Sequence, residues 1–153
     1  MLAGTIGLLL FITSSHPKDI NASKTYTITP KSSTYKKKYK KAAAYNSATK
    51  HYFLIRSYLE QLEKDGGGKL VLKKGTYKVS NVLYVPSNVT IEFKDGVIIK
   101  KTTKTNTKKM KASGGLFEFM EPSKSKKKGV HGKYNRNGCI SKCYCKELYI
   151  YWS

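Results

Sequence analysis

Acidic residues, arginine and long apolar runs are all scarce in this chain. Asp and Glu together number 9 against 30 Lys and Arg, which gives a formal net charge of +21 over 153 residues. Arg56 and Arg136 are the only arginines. Arginine favours bidentate recognition of bases and phosphates, whereas lysine acts as a hydrated point charge. The composition therefore predicts a surface that attracts polyanions without specifying one.

Recognisable catalytic and metal-binding patterns are also lacking, so no catalytic, cofactor-binding or metal-binding residue is predicted. There is no Ser-His-Asp set, glycine-rich phosphate loop or metal cluster. His51 has no Cys, His or paired carboxylate at metal or dyad spacing, and it is expected at the surface or boundary of a helix. Glu118 and Glu121 are three residues apart, which does not place them on one face of a strand as a carboxylate dyad requires. His131 lies in a glycine-flanked turn and receives no role.

The cysteines are few and all near the end of the chain, at Cys139, Cys143 and Cys145. An odd number in an exported protein leaves at least one thiol unpaired. Their spacing matches no common zinc site, and His131 is the only nearby candidate for a fourth ligand. The composition changes abruptly at Arg136, so we interpret 136–153 as an atypical tail and hypothesise that it is a frameshift product.

The first segment, 1–23, is typical of a secretory signal. Its apolar run, Ile6 to Ile12, is too short to span a bilayer as a helix. Small and polar residues follow, with a possible cleavage region at 21–23, although the usual positive n-region is missing. The sequence predicts export and no transmembrane span.

The next segment, 24–46, is rich in Lys, Thr and Tyr and has no sustained period. Its basic block, Lys36 to Lys41, contains Tyr39, so it could neutralise phosphates and stack bases. For an exported chain we favour a solvated linker, and no specific nucleic acid is predicted.

A unit from 47 to 135 is predicted to begin with an amphipathic helix over 47–64. Asn46 or Ser47 can cap its start, and Gly66 stands where a left-handed residue ends a helix. The apolar stripe consists of Tyr52, Ile55, Leu59 and Leu62.

Short apolar runs follow the helix, separated by Gly, Pro and polar residues, and they read as strands. They recur at a closer step than is usual for a sandwich or barrel, which favours a chain that turns a corner after each strand. We therefore predict a mainly β fold, the start of a right-handed parallel β-helix with the helix as its N-terminal cap. Asp95-Gly96 could instead support a tight hairpin. After a loop beginning at Thr102, one more strand is expected over 116–120. The earlier runs are Leu70–Leu72, Tyr77–Val79, Val82–Val85, Val89–Phe93 and Val97–Ile99.

Three motifs in this order carry a family resemblance: Gly66–Gly68, then Gly75-Thr76-Tyr77, then Val85-Pro86-Ser87-Asn88-Val89-Thr90-Ile91. The stretch resembles the N-terminal cap and first coils of secreted pectate-lyase-like proteins. The resemblance implies a polysaccharide lyase, which uses calcium-holding carboxylates and a basic residue, or a hydrolase, which uses clustered aspartates. Glu92 and Asp95 are too few to supply either set.

Two functions are therefore expected from the sequence. The first is an N-terminal fragment of a secreted pectate-lyase-like enzyme, inactive as it stands and without a cofactor. The alternative is a secreted basic β-solenoid that binds an acidic polysaccharide or cell-wall polymer through lysine charge. Asn88-Val89-Thr90 also matches a glycosylation sequon, but we interpret Asn88 as a corner residue with left-handed geometry.

Overall fold

The computed structural model describes residues 24–126 and 143–146. The predicted signal segment, Cys139 and His131 lie outside these residues. The described part contains one α-helix, two short 3₁₀ helices (Lys37–Lys41 and Lys124–Lys126) and eight strands. The helix is α1 (Lys50–Lys64), and the strands are β1 (Thr25–Ile28), β2 (Gly68–Leu72), β3 (Gly75–Val79), β4 (Leu83–Val85), β5 (Val89–Phe93), β6 (Val97–Lys101), β7 (Phe117–Phe119) and β8 (Cys143–Lys146).

Helix α1 confirms the predicted amphipathic helix, although it begins three residues later than 47. Asn46 forms a turn before it, where its Oδ1 accepts the backbone N–H of Ala48 at 2.8 Å. The predicted apolar stripe is buried and faces β2, β3 and β4. Removing this stripe from water supplies the main stabilisation of the packing.

The glycines after α1 close the helix as the sequence predicts for Gly66. Gly66 has a φ of 80°. Its N–H donates to the carbonyl of Glu63 at 3.2 Å, and the N–H of Gly67 donates to the carbonyl of Leu62 at 2.9 Å. This pair of bonds defines a Schellman motif, which satisfies carbonyls that the helix end would otherwise leave unpaired.

The strands form three sheets, and every strand pairing in the described residues is parallel. One sheet has the strand order β1-β2-β5-β8, the second contains β3 and β6, and the third contains β4 and β7. Strands β5 and β6 therefore belong to different sheets, which excludes a hairpin at Asp95-Gly96. Asn88 has a φ of 59°, as expected for its corner.

The predicted right-handed parallel β-helix with a capping helix is wrong as a description of the fold. The described residues form short parallel strands in small separate sheets beside one helix, with no solenoid evident. Two of the sheets have only two strands each. The alternation of apolar residues located the strands because it reports which face is buried. It carries no information on how many strands join each sheet.

The segment 24–46 is packed structure and not the solvated linker that its composition favours. Strand β1 pairs with β2, from Thr25 beside Lys69 to Ile28 beside Leu72. Ile28 is fully buried. Tyr39 is also buried, and its hydroxyl donates to Glu60 on α1.

The core lies between α1 and the strands. Tyr77 is fully buried there, and its hydroxyl lies within hydrogen-bond distance of the carbonyls of Ile28 (3.1 Å) and Lys73 (2.9 Å). Burial raises the pKa of Tyr77 to about 12. Among the residues described, no helix is long and apolar enough to cross a membrane.

Candidate functional site

Two lysines stand side by side on the outer face of the sheet formed by β3 and β6. Alternation along these strands buries Tyr77 and Ile99 and leaves Lys78 and Lys100 exposed. The parallel register places Lys78 directly opposite Lys100. Neighbouring strands lie about 4.8 Å apart, and like charges directly opposite each other destabilise a sheet. The two lysines therefore do not stabilise this sheet, and their placement there is not explained by sheet stability.

Carboxylates do not neutralise this pair within the described residues. The cations that form ion pairs there lie elsewhere, and they are Lys24, Arg56, Lys69, Lys94 and Lys124. The positive charge of Lys78 and Lys100 thus faces solvent, and no described residue supplies a counter-charge.

A cavity of about 520 Å³ opens beside the two lysines. Lys101 and Lys104 also line it, as do Ser47 and Ala48, which precede α1. The ammonium of Lys101 is already hydrogen-bonded within the protein, because its Nζ donates to the carbonyls of Ser80 (2.9 Å) and Thr102 (3.0 Å). Burial also lowers the pKa of Lys101. Lys78, Lys100 and Lys104 are exposed, and we name these three residues the lysine cluster.

The charge distribution along α1 adds to the positive potential at this cavity. The first turn of the helix contains no acidic residue, and Thr49 at its N-cap makes no side-chain capping bond. Glu60, Glu63 and Asp65 lie near the opposite end. The macrodipole favours carboxylates at the N-terminus and disfavours them at the C-terminus, so this arrangement does not serve helix stability. No acidic residue of the first turn offsets the positive end of the macrodipole, which therefore favours an anion nearby.

The outer face of the four-stranded sheet is different, because Glu92 on β5 pairs with two nearby lysines. Glu92 forms ion pairs with Lys69 at 3.4 Å and with Lys94. The hydrogen bond from Lys94 is the main cause that lowers the pKa of Glu92. Among the described residues, a carboxylate thus neutralises Lys69 and Lys94, whereas none neutralises Lys78 and Lys100.

His51, which follows Lys50 in α1, links the helix to β3 through a hydrogen bond with the backbone of Lys78. It is buried and not at the surface or boundary where we expected it. Its Nδ1 accepts the backbone N–H of Lys78 at 3.0 Å, and its Nε2 lies 3.2 Å from the carbonyl of Pro30. Because a backbone N–H only donates, the ring is the neutral tautomer that carries its hydrogen on Nε2. Burial is the main cause that lowers the pKa of His51, and the charges of Lys50 and Lys78 add to it.

His51 should make stability depend on pH above the range in which carboxylates titrate. Its folded pKa lies below the ordinary value of 6.5, so the unfolded chain takes up the proton first. The free energy of unfolding should be constant above about pH 6.5 and fall as the pH drops below it toward the folded pKa. Urea titrations at a series of pH values would measure this fall.

The variant His51→Gln is the control for that titration. It lacks the ionisable ring, so its free energy of unfolding should change little between about pH 6.5 and 5. Asp65, Glu92 and Glu121 also have lowered pKa values, but these groups lose stability only at more acidic pH. If the free energy of unfolding changes equally in the two proteins between about pH 6.5 and 5, His51 does not have this role.

The remaining sequence candidates are not brought together. Glu121 accepts the Ser87 hydroxyl at 2.7 Å, and Lys124 Nζ lies 3.4 Å from its other oxygen. Burial alone raises the pKa of Glu121, but these partners leave it below its ordinary value. Among the described residues no group of three or more His, Cys, Asp or Glu is placed to hold a metal ion. Backbone pairing places Cys143 beside Val89, whereas Cys139 and His131 lie outside the described residues.

The basic block from Lys36 to Lys41 loses the feature that pointed to nucleic acid. Stacking on bases needs an exposed aromatic ring. Tyr39 is buried and bound to Glu60, so its ring is not presented to a partner.

The lysine cluster was not predicted from the sequence, because its residues do not form a run of basic residues along the chain. Lys78 and Lys100 are distant in sequence, and only the register between β3 and β6 makes them neighbours. Strand alternation does place each of them on an outer face, which is the one signal that the sequence contained.

In comparisons with known proteins, no family model matches the chain, and no curated protein or solved structure is significantly similar to it. The resemblance to pectate-lyase-like proteins therefore stays a prediction.

Proposed function

We propose that this protein binds an acidic polysaccharide through the lysine cluster. The observation that carries the proposal is the exposed pair Lys78 and Lys100, which lie opposite each other without a protein counter-charge in the described residues. A bound anion would relieve their mutual repulsion. The export predicted from the sequence would place such a polymer within reach of the chain.

The chemistry of the surface favours a carboxylated sugar polymer over a nucleic acid. Ser47, Thr103 and Asn106 also line the cavity, and their polar side chains suit the hydroxyl groups of a sugar. The one arginine of the described residues, Arg56, is held by Glu60 at 2.7 Å and by Tyr52 at 3.0 Å. No free guanidinium fork in that part of the chain is therefore offered to bases or phosphates.

A competition experiment tests the proposal. The protein is held on immobilised polygalacturonate and eluted with rising NaCl, with soluble polygalacturonate, with duplex DNA and with dextran, an uncharged polymer. We expect polygalacturonate to compete at least as well as DNA, although DNA carries about one charge per 1.7 Å of its axis. Dextran should not compete.

The outcomes separate the possible functions. Superior competition by DNA, with affinity that falls steeply with salt, would overturn the proposal in favour of nonspecific nucleic-acid binding. No retention on polygalacturonate would refute binding of this class altogether. Absorbance from unsaturated uronides, measured in the same samples, would support the enzyme alternative. Salt-sensitive binding without such turnover supports a binding protein.

A further inference from the structure

A second cavity is lined in part by residues at the start of α1. Its volume is about 320 Å³, and three lysines line it: Lys31, Lys40 and Lys50. All three are exposed. Within the described residues the ion-paired cations lie elsewhere, so these lysines also lack a carboxylate partner there.

The rest of the lining suits a sugar better than a simple inorganic ion. The hydroxyl residues Ser32, Ser33 and Tyr45 lie in the wall, while Pro30 and Leu54 supply apolar surface. Binding pockets for small organic ligands combine such apolar walls with a few placed polar groups. Lys40 Nζ lies 3.3 Å from Ser33 Oγ, which holds one ammonium beside a hydroxyl in the wall.

The walls of the two cavities share the start of α1, and a hydrogen bond of His51 links them. His51 lines the second cavity, and its Nδ1 accepts the backbone N–H of Lys78, which lines the first. Ser47 and Ala48 line the first cavity, and Lys50 and His51 line the second, so the amino end of α1 lies between them. A linear polyanion that occupies the lysine cluster can therefore continue past the helix start.

We propose that the cavity lined by Lys31, Lys40 and Lys50 is a second subsite, which holds one carboxylated sugar unit of the polymer bound at the lysine cluster. This inference rests on the proposed function. Two linked subsites turn the second binding event into an intramolecular one, which raises affinity without new contacts. Affinity should therefore depend on the length of the ligand.

Titration calorimetry with galacturonate oligomers of increasing length tests the subsite. For the wild-type chain we expect affinity to rise by about tenfold or more between oligomers that fill one subsite and those that reach both. The double variant Lys31→Gln/Lys40→Gln should lose most of this gain while it still binds at the lysine cluster. The matched control Lys37→Gln/Lys41→Gln removes the same charge from exposed positions that line neither cavity, and it should keep the gain.

Each outcome decides between the two proposals. If Lys31→Gln/Lys40→Gln keeps the full dependence on length, or if the control loses it equally, the second subsite is refuted and binding at the lysine cluster stands. If the wild-type chain binds no oligomer of any length, the proposed function fails and the subsite fails with it. Near-equal circular dichroism spectra of the variants and the wild-type chain would show that folding is retained.

Discussion

Replacing Gly68 by alanine should strongly destabilise the protein. Gly68 has a φ of +133°, and a Cβ there would lie 2.4 Å from the carbonyl oxygen of Lys24 and 2.8 Å from Cδ2 of Leu62. Backbone strain of this kind costs about 1–3 kcal/mol. The clash adds to it, because the Lys24 oxygen belongs to the backbone and already accepts the N–H of Lys69 at 2.8 Å. We expect a loss of about 3 kcal/mol or more, against a total stability of about 5–15 kcal/mol for a typical domain.

The variant Gly66→Ala is a matched control, since it makes the same chemical change two residues earlier. Gly66 also has a positive φ, of +80°, but nothing lies within 4 Å of the position that its Cβ would take. It should lose only about 1 kcal/mol, from backbone strain alone. Urea unfolding followed by circular dichroism would measure both variants. Equal losses would show that the close approach at Gly68 does not determine stability.

These glycines show how far the sequence could be read. Gly66 was predictable, because the helix stripe ends just before it and a left-handed residue commonly follows. The need for Gly68 was not predictable, because it depends on Lys24, the residue before β1, whose carbonyl lies close to the backbone there. The apolar residues of the segment 24–46 follow no periodic pattern, so the sequence did not predict that part of it forms a strand paired with β2.

The sequence located strands β2 to β7 within a few residues, but it did not predict how they assemble into sheets. The alternation in 89–93 predicted β5, which has Val89 and Ile91 buried and Thr90 only partly so. Alternation is a local signal, whereas the membership of each sheet depends on contacts distant in sequence. The β-helix prediction failed at that step, because the structure places the strands in three small sheets.

The candidate site was beyond local patterns for the same reason. The sequence predicted the right kind of surface, since the excess of lysine indicated attraction to polyanions. The consecutive lysines around Tyr39 are the most prominent basic feature of the sequence. The structure instead pairs Lys78 with Lys100, which are isolated in sequence and lie opposite each other on β3 and β6. His51 was equally hidden, because both of its backbone partners, at Pro30 and Lys78, lie far from it in sequence.

The double variant Lys78→Gln/Lys100→Gln should bind polygalacturonate about tenfold more weakly at low salt, since each exposed ion pair contributes about 0.2–1 kcal/mol. Its affinity should also depend less steeply on salt, because fewer charges are neutralised on binding. The same variant should be slightly more stable than the wild-type chain, by about 0.2–1 kcal/mol, because like charges directly opposite in a sheet are removed. Polymer titrations at several NaCl concentrations, together with urea unfolding, would measure both effects.

Opposite signs for binding and stability are what distinguish a binding surface from a structural one. The matched control Lys69→Gln/Lys94→Gln removes two lysines that pair with Glu92, and so makes the same change in net charge. This control should leave binding almost unchanged and stability equal or slightly lower, because exposed ion pairs contribute little. If both variants weaken binding equally, affinity follows net charge alone and the lysine cluster is not a site. If Lys78→Gln/Lys100→Gln instead loses stability, the two lysines support the fold, and their repulsion cannot be the reason an anion binds there.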